Sequence, residues 1–203
     1  MTRCLLTSLG LLLLVSCGSY PKKNGFQKKA IQTSIENPYF SNEVRDYVYK
    51  ASIQVYNKSF GGLFIVKKLG NNTHRLAFTT EMGNKLFDFS FENDEFSVNY
   101  ILEELDKKIL INILRDDFLV LLNNPVDIVN AYTKDNLHIF EAEINNRAHY
   151  YFFDNDELQK VVRTKGRKEK VSFVFSDIEG ETAKQIEILH HNIKLNINLK
   201  SIK

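Results

Sequence analysis

Cys17 is the side chain in this sequence best placed to do chemistry. Its thiol follows Leu14-Val15-Ser16 at the end of an apolar run, Leu5 to Val15, which basic Arg3 precedes. A basic start, a short apolar stretch and a small residue at the cut is the layout of a cleaved secretory signal. A helix needs about 20 apolar residues to cross a bilayer, so this run is too short to be a membrane anchor. The other candidate groups are dispersed. His74, His138, His149, His190 and His191 show no metal-ligand spacing. Asp154, Asp156 and Glu157 share a turn, but the full ligand pattern of a calcium loop is missing, and a solvated turn is the simpler reading. Arg163, Lys165, Arg167, Lys168 and Lys170 cluster around another turn, where they could meet phospholipid headgroups, an acidic partner or only water. No nucleophile elbow, phosphate-binding loop or dinucleotide fingerprint is present. The sequence therefore predicts no catalysis, no cofactor and no metal.

Leu-Val-Ser-Cys at the cut resembles the lipobox of bacterial lipoproteins, which implies acylation of Cys17. The other cysteine, Cys4, leaves with the signal, so the mature chain is expected to have neither disulfide nor free thiol. Removing residues 1–16 takes away one cation and leaves a nearly neutral domain, which gives no nucleic-acid footprint. Gly18 with no acid close behind would fit outer-membrane sorting. Residues 17–45 read as the acylated Cys and a tether, with one or two helical turns around Gln27 to Ile35 and lysines able to touch headgroups. Residues 46–203 are then a single domain of ordinary size.

The elements of that domain are legible as periodicity. Tyr47, Tyr49, Ala51, Ile53 and Val55 alternate with polar residues, and Phe87, Phe89 and Phe91 share a face opposite Asp88 and Ser90. Gly61-Gly62, Gly70-Asn71-Asn72, Met82-Gly83-Asn84, Asn93-Asp94, Asn145-Asn146 and Gly166 punctuate an antiparallel meander. Between Ile101 and Leu122 the apolar steps become three and four residues, which predicts a helix stopped by Asn123-Asn124-Pro125. That helix is apolar on more than one stripe (Ile111, Leu119 and Val120 lie off the main face), so it should be contacted on two sides. The fold class expected is mainly β with α. About ten strands would form an incomplete antiparallel β-barrel, a strongly curved sheet, enclosing or lidded by the inserted helix.

His74-Arg75-Leu76-Ala77-Phe78-Thr79-Thr80-Glu81-Met82-Gly83-Asn84-Lys85-Leu86 resembles part of the LolB family, outer-membrane lipoprotein receptors of the LolA/LolB superfamily. The shared pattern is an Arg-Leu strand, a Thr, and an apolar residue with Gly in a protruding turn. The closing Ile193-Lys194-Leu195-Asn196-Ile197 resembles the family's final strand. The chain departs from the pattern in having no Trp, in Glu81 where a Pro is common, and in one inserted helix instead of a pair. The resemblance implies an outer-membrane lipoprotein, facing the periplasm, with an apolar cavity. It would accept acylated lipoproteins from a soluble periplasmic LolA-like carrier and insert them in the outer-membrane bilayer. It maps the membrane-contacting loop onto Met82 and Gly83.

Acyl-cavity candidates are Phe78, Phe87, Phe89, Phe91, Phe173 and Phe175 on strands, with Leu105, Ile109, Leu114 and Phe118 on the helix. For any single one of them, plain core packing is the favoured role. Two other roles fit the same pattern: a lipoprotein binding free lipid, or a non-catalytic scaffold of an envelope complex.

Overall fold

The computed structural model describes residues 18–30, 33–93 and 95–202. The signal segment and Cys17 lie outside the described residues. In chain order the elements are α1 (Tyr20–Asn24), β1 (Gln27–Lys29), β2 (Ser34–Ile35), β3 (Asp46–Val55), β4 (Lys58–Gly70), β5 (Thr73–Thr79), β6 (Lys85–Glu92) and β7 (Glu95–Ile101). There follow α2 (Lys108–Leu122), β8 (Val126–Asp127), β9 (Asn130–Lys134), β10 (Leu137–Ile144), β11 (Arg147–Asp154) and β12 (Glu157–Lys165). The last are β13 (Lys168–Glu179), β14 (Thr182–His190) and β15 (Leu195–Ser201).

Thirteen strands form one antiparallel sheet in the order β1-β9-β10-β11-β12-β13-β14-β15-β3-β4-β5-β6-β7, and β2 pairs with β8 apart from it. This corrects the expected incomplete barrel. The edge strands are β1 and β7, no ladder joins them among the described residues, and the sheet stays open. The meander is as expected, but its ends are stitched in the middle: the last strand, β15, pairs with β3 from Leu195↔Val55 to Ser201↔Tyr49. Only local alternation is visible in a sequence, and alternation is the same in a closed and an open sheet.

Turn chemistry sets the hairpins. Asn145 and Asn146 have φ of 52° and 56°, so Ile144 and Arg147 pair across a two-residue turn with both residues left-handed. Gly62 is required for a different reason. A Cβ there would stand 1.8 Å from the Thr79 carbonyl oxygen, where β5 presses on β4. Gly62→Ala is expected to cost about 1–3 kcal/mol, the usual penalty of overpacking, read as a lower urea midpoint at unchanged m-value.

The core lies on one sheet face. Tyr47, Tyr49, Ala51 and Ile53 of β3 and Leu195, Ile197 and Leu199 of β15 are buried in the phase the sequence predicts. The helix is shorter than expected. Residues 102–107 form turns, with the Asp106 and Leu105 amides donating to the Leu102 carbonyl, and Lys107 is extended where α2 begins. Turns and helices both return side chains to one side every three or four residues, so Leu102 and Leu105 mimic a helix stripe.

Several residues of the segment before β3 pack onto the body. Tyr39 and Phe40 are almost wholly buried in the main core, and Tyr20 heads a second cluster with Tyr132, Ile139, Tyr150 and Val162 on the other face. The helical turns expected at Gln27 to Ile35 are strands β1 and β2 where described, and the helix lies earlier, at Tyr20–Asn24. Pro21 suits its first turn, and Gly25, with φ of 70°, ends it. Asn37, buried, closes the other helix: its Nδ2 donates to the Leu121 carbonyl at 3.0 Å, and its amide donates to Asn124 Oδ1 at 3.0 Å. Carbonyls that a helix end leaves without partners are thereby satisfied from the N-terminal segment.

Candidate functional site

α2 is carried across the core face because β7 ends at one sheet edge and β9 lies one strand from the other. The connection must traverse the sheet, and an apolar helix is what the sequence supplies there. Its C-terminal half is enclosed nearly all round: Leu114, Phe118, Val120, Leu121 and Leu122 are buried, with two acids, Asp116 and Asp117. On one side Phe118 meets the rings of Phe64, Phe87 and Phe89 at centroid distances of 5.2, 5.9 and 6.5 Å. Of the off-stripe residues only Val120 is buried, while Ile111 and Leu119 stay partly exposed.

Along the same buried face the helix is also held by charge. Asp117 Oδ2 lies 2.7 Å from His190 Nε2, and Oδ1 lies 3.8 Å from Arg163 Nη1. Asp117 is fully buried and His190 nearly so, while Oδ1 has no hydrogen-bond partner among the described residues. Burial pushes the Asp117 carboxyl above its usual range, against the pull of the His190 hydrogen bond. Burial also lowers the Arg163 guanidinium, with Asp117 opposing. Beside them His149 is buried, its Nδ1 2.9 Å from the Arg147 carbonyl, which it can meet only as a donor. Desolvation pushes that imidazole down to about 4. At the rim Asp116 takes Arg147 at 2.5 Å and Arg115 at 2.9 Å.

Motifs in the sequence do not announce this layer: they leave His190 without metal-ligand spacing and Arg163 within a basic cluster around a turn. The signal existed. His190 continues the Ile186-Ile188 phase of β14, Arg163 continues the inward phase of Val161, and Asp117 sits on the helix face of Leu114, Phe118 and Leu121. Charged residues in phase with a core face announce a buried network. The acid–base pair has no hydroxyl nucleophile shown bonded to it. Elsewhere Ser172 Oγ and His191 Nε2 are 2.8 Å apart, but Glu169 lies 3.9 Å from that same Nε2. A triad needs the acid on the opposite ring nitrogen, so the arrangement is a hydrogen bond at the sheet surface.

Nine of the ten acyl-cavity candidates are buried in one continuous cluster: Phe78, Phe87, Phe89, Phe91, Leu105, Leu114, Phe118, Phe173 and Phe175. Of the strand residues among them, Phe87 and Phe89 meet the Phe118 ring of α2. Ile109, the tenth, is 75% exposed. Two clefts flank the helix. One, of about 550 Å³, lies by its C-terminal half between Phe91, Phe96, Leu119 and Leu122. The other, of about 850 Å³, lies by its N-terminal half between Ile109, Ile113, Asp116, Arg147 and Arg163.

The Met82 turn is a firm tip. The Thr80 amide donates to the Asn84 carbonyl at 2.8 Å, the Gly83 amide to the Thr80 carbonyl at 2.9 Å, and the Asn84 amide to Thr80 Oγ1 at 3.1 Å. Gly83 is left-handed with φ of 84°, and Met82 projects from the tip at 89% exposure. Behind it Lys85 and Arg75 hold Asp88 at 2.8 and 2.9 Å. The Arg75 guanidinium keeps that carboxyl well below the usual carboxylate range.

No protein-family model matches the chain, and no curated protein matches it. Among solved structures it resembles a LolA superfamily protein from Nitrosomonas europaea, with a TM-score of 0.51 at 7% identity over 82% of this chain and 88% of that one. A domain named for outer membrane lipoprotein sorting, from Vibrio parahaemolyticus, gives 0.45 at 9% identity over 78% and 83%. The chain therefore has a remote likeness to the LolA superfamily, and that likeness is one of fold.

Proposed function

We propose that this chain is a non-catalytic envelope lipoprotein, acylated at Cys17 and held on the periplasmic side of the outer membrane. It accepts the acyl chains of other lipoproteins from a soluble carrier and inserts them in the bilayer. The observation that carries this reading is the apolar helix laid across an aromatic sheet face. An acyl chain of about 15 methylenes gains on the order of 12 kcal/mol on burial, so it must pass directly between apolar compartments. Leu114, Phe118, Leu121 and Leu122 each hold about 1.5–3 kcal/mol of burial, so together they are of the same order as one acyl chain. Swinging α2 off the sheet and laying an acyl chain in its place is thus a near-balanced exchange. In this reading Asp117 and His190 latch the empty state. Met82, on its rigid tip, touches the bilayer as cargo leaves.

The test is transfer of an acylated lipoprotein from a soluble carrier of the same organism to the chain, followed by delivery to liposomes. Met82→Glu should leave acceptance intact and impair delivery at least tenfold, since a carboxylate resists entry into the headgroup–acyl boundary. Unimpaired delivery would remove Met82 from the mechanism, and no acceptance by the parent chain would remove the receptor reading. The filled state of the face under α2 favours a second reading, a scaffold subunit with a permanently packed core. Exclusion of every acyl probe at temperatures just below unfolding would decide for it.

A further inference from the structure

Antiparallel pairing throughout the sheet sends alternate turns to opposite ends. Residues 56–57, 80–84, 145–146, 166–167 and 191–194 therefore share one end, and 71–72, 135–136, 155–156 and 180–181 share the other. Charge divides the same way. Arg147, Lys165, Arg167 and Lys168 stand at the first end, the last three exposed and in no ion pair among the described residues. The second end carries Asp154, Asp156 and Glu157 on one turn and Glu179 and Glu181 on the next. The first end also carries acids, Glu81 beside Met82 and Glu103, Glu104 and Asp106 after β7, so the polarity belongs to the turns of β10 to β14 and not to every turn of the sheet.

Three further observations fall on the basic end. The N-terminal segment joins the body there: a Cβ at Gly18 would lie 3.5 Å from the Arg167 guanidinium carbon, and Lys23 Nζ donates to the Arg167 carbonyl at 3.4 Å. Glu169, the acid nearest the cluster, is drawn off the tip by the Tyr20 hydroxyl, which donates to it at 2.7 Å. Met82 and Tyr56 project from the same end, 89% and 68% exposed.

We infer that the β12–β13 turn is a docking site for anionic phospholipid headgroups, and that it sets the molecule upright with its acidic end away from the bilayer. Lys165, Arg167 and Lys168 supply the attraction. The chain leading back to Cys17 leaves from the same corner, so a lipid anchor and these cations would act within one Debye length. Tyr56, separated from β13 by two strands, and Met82, further along the sheet, project from the same end. The charge argument stands without acylation of Cys17; only the shared corner rests on that proposal.

The full chain carrying Cys17→Ser, free of acyl anchoring, is sedimented with phosphatidylcholine vesicles with and without phosphatidylglycerol. Partition is expected to rise with phosphatidylglycerol and to fall with added salt. Lys165→Gln, Arg167→Gln and Lys168→Gln should each weaken it roughly fivefold. Lys134→Gln, at the acidic end, should leave it unchanged. Equal partition onto both vesicle types, or a loss in Lys134→Gln matching the others, would overturn the inference. Cargo transfer plays no part in this measurement, so its failure leaves the receptor reading standing.

Discussion

Phe118→Ala is expected to destabilise the protein by about 3–5 kcal/mol, the range for removing a buried aromatic ring, and to raise its uptake of a fluorescent fatty-acid probe. Phe118 has no measurable exposure, and its ring is packed among Phe64, Phe87 and Phe89, themselves unexposed. Sheet strands held by ladders on both sides cannot close on the vacated space, so most of the cavity should persist. An apolar cavity of that kind stays dry and takes apolar guests. Equilibrium urea unfolding reads the first effect and probe fluorescence the second. A stability loss with no gain in probe uptake would mean that the space under α2 is core alone, and would favour the scaffold reading. Phe118→Leu serves as the control, since it retains most of the volume and should lose far less on both measures.

Asp117→Ala should be comparably costly, about 3–5 kcal/mol, because it breaks a buried ionic contact from one side. The substitution leaves the nearly buried Arg163 guanidinium without the carboxylate it faces and His190 without its acceptor. His190→Ala should cost less than Asp117→Ala. The double variant should cost less than the two added, since the pair is in direct contact. The same layer makes stability depend on pH. His149 titrates near 4 in the folded state and near 6.5 when unfolded, so between those values the unfolded chain binds more protons. Its contribution is present in full above about pH 6.5 and is lost as pH falls toward 4. His74, also lowered by burial, acts with the same sign. Asp117, raised by burial, acts with the opposite sign, and its proton uptake on folding favours the native state as pH falls. Comparing the urea midpoint against pH for the parent and for His149→Phe isolates the imidazole. The variant should lose the share of the drop that His149 contributes, leaving that of His74, and an unchanged profile would place the titration elsewhere.

Opening α2 would require both features to yield together. The aromatic contacts of the helix hold by area, with no direction and no preferred pH. The charged contacts hold by geometry and protonation. A helix held by apolar contacts alone would be released only by an apolar guest, whereas the Asp117–His190 contact adds a second condition.

What the residues determine by themselves is local. Alternation placed Tyr47 to Ile53 and Phe87 to Phe91 with the correct faces, because a strand's period of two is written in consecutive positions. Asn145-Asn146 marked its hairpin because few residues accept a left-handed backbone, and Pro125 stood just past the helix end. Tertiary structure alone decided the rest. Whether thirteen alternating strands close or stay open depends on which edges meet, and both arrangements use the same alternation. Tyr20, Asn37 and Tyr39 lie in a segment with the composition of a tether; they are structural because surfaces more than 80 residues away in the chain accept them. Asp117, Arg163 and His190 come from three elements far apart in sequence, each an isolated charge in an apolar phase until the fold brings them together. The polarity of the turns from β10 to β14 has the same origin. These basic and acidic turns alternate along the chain and nearly cancel in the composition, and only antiparallel pairing sends one sign to each end.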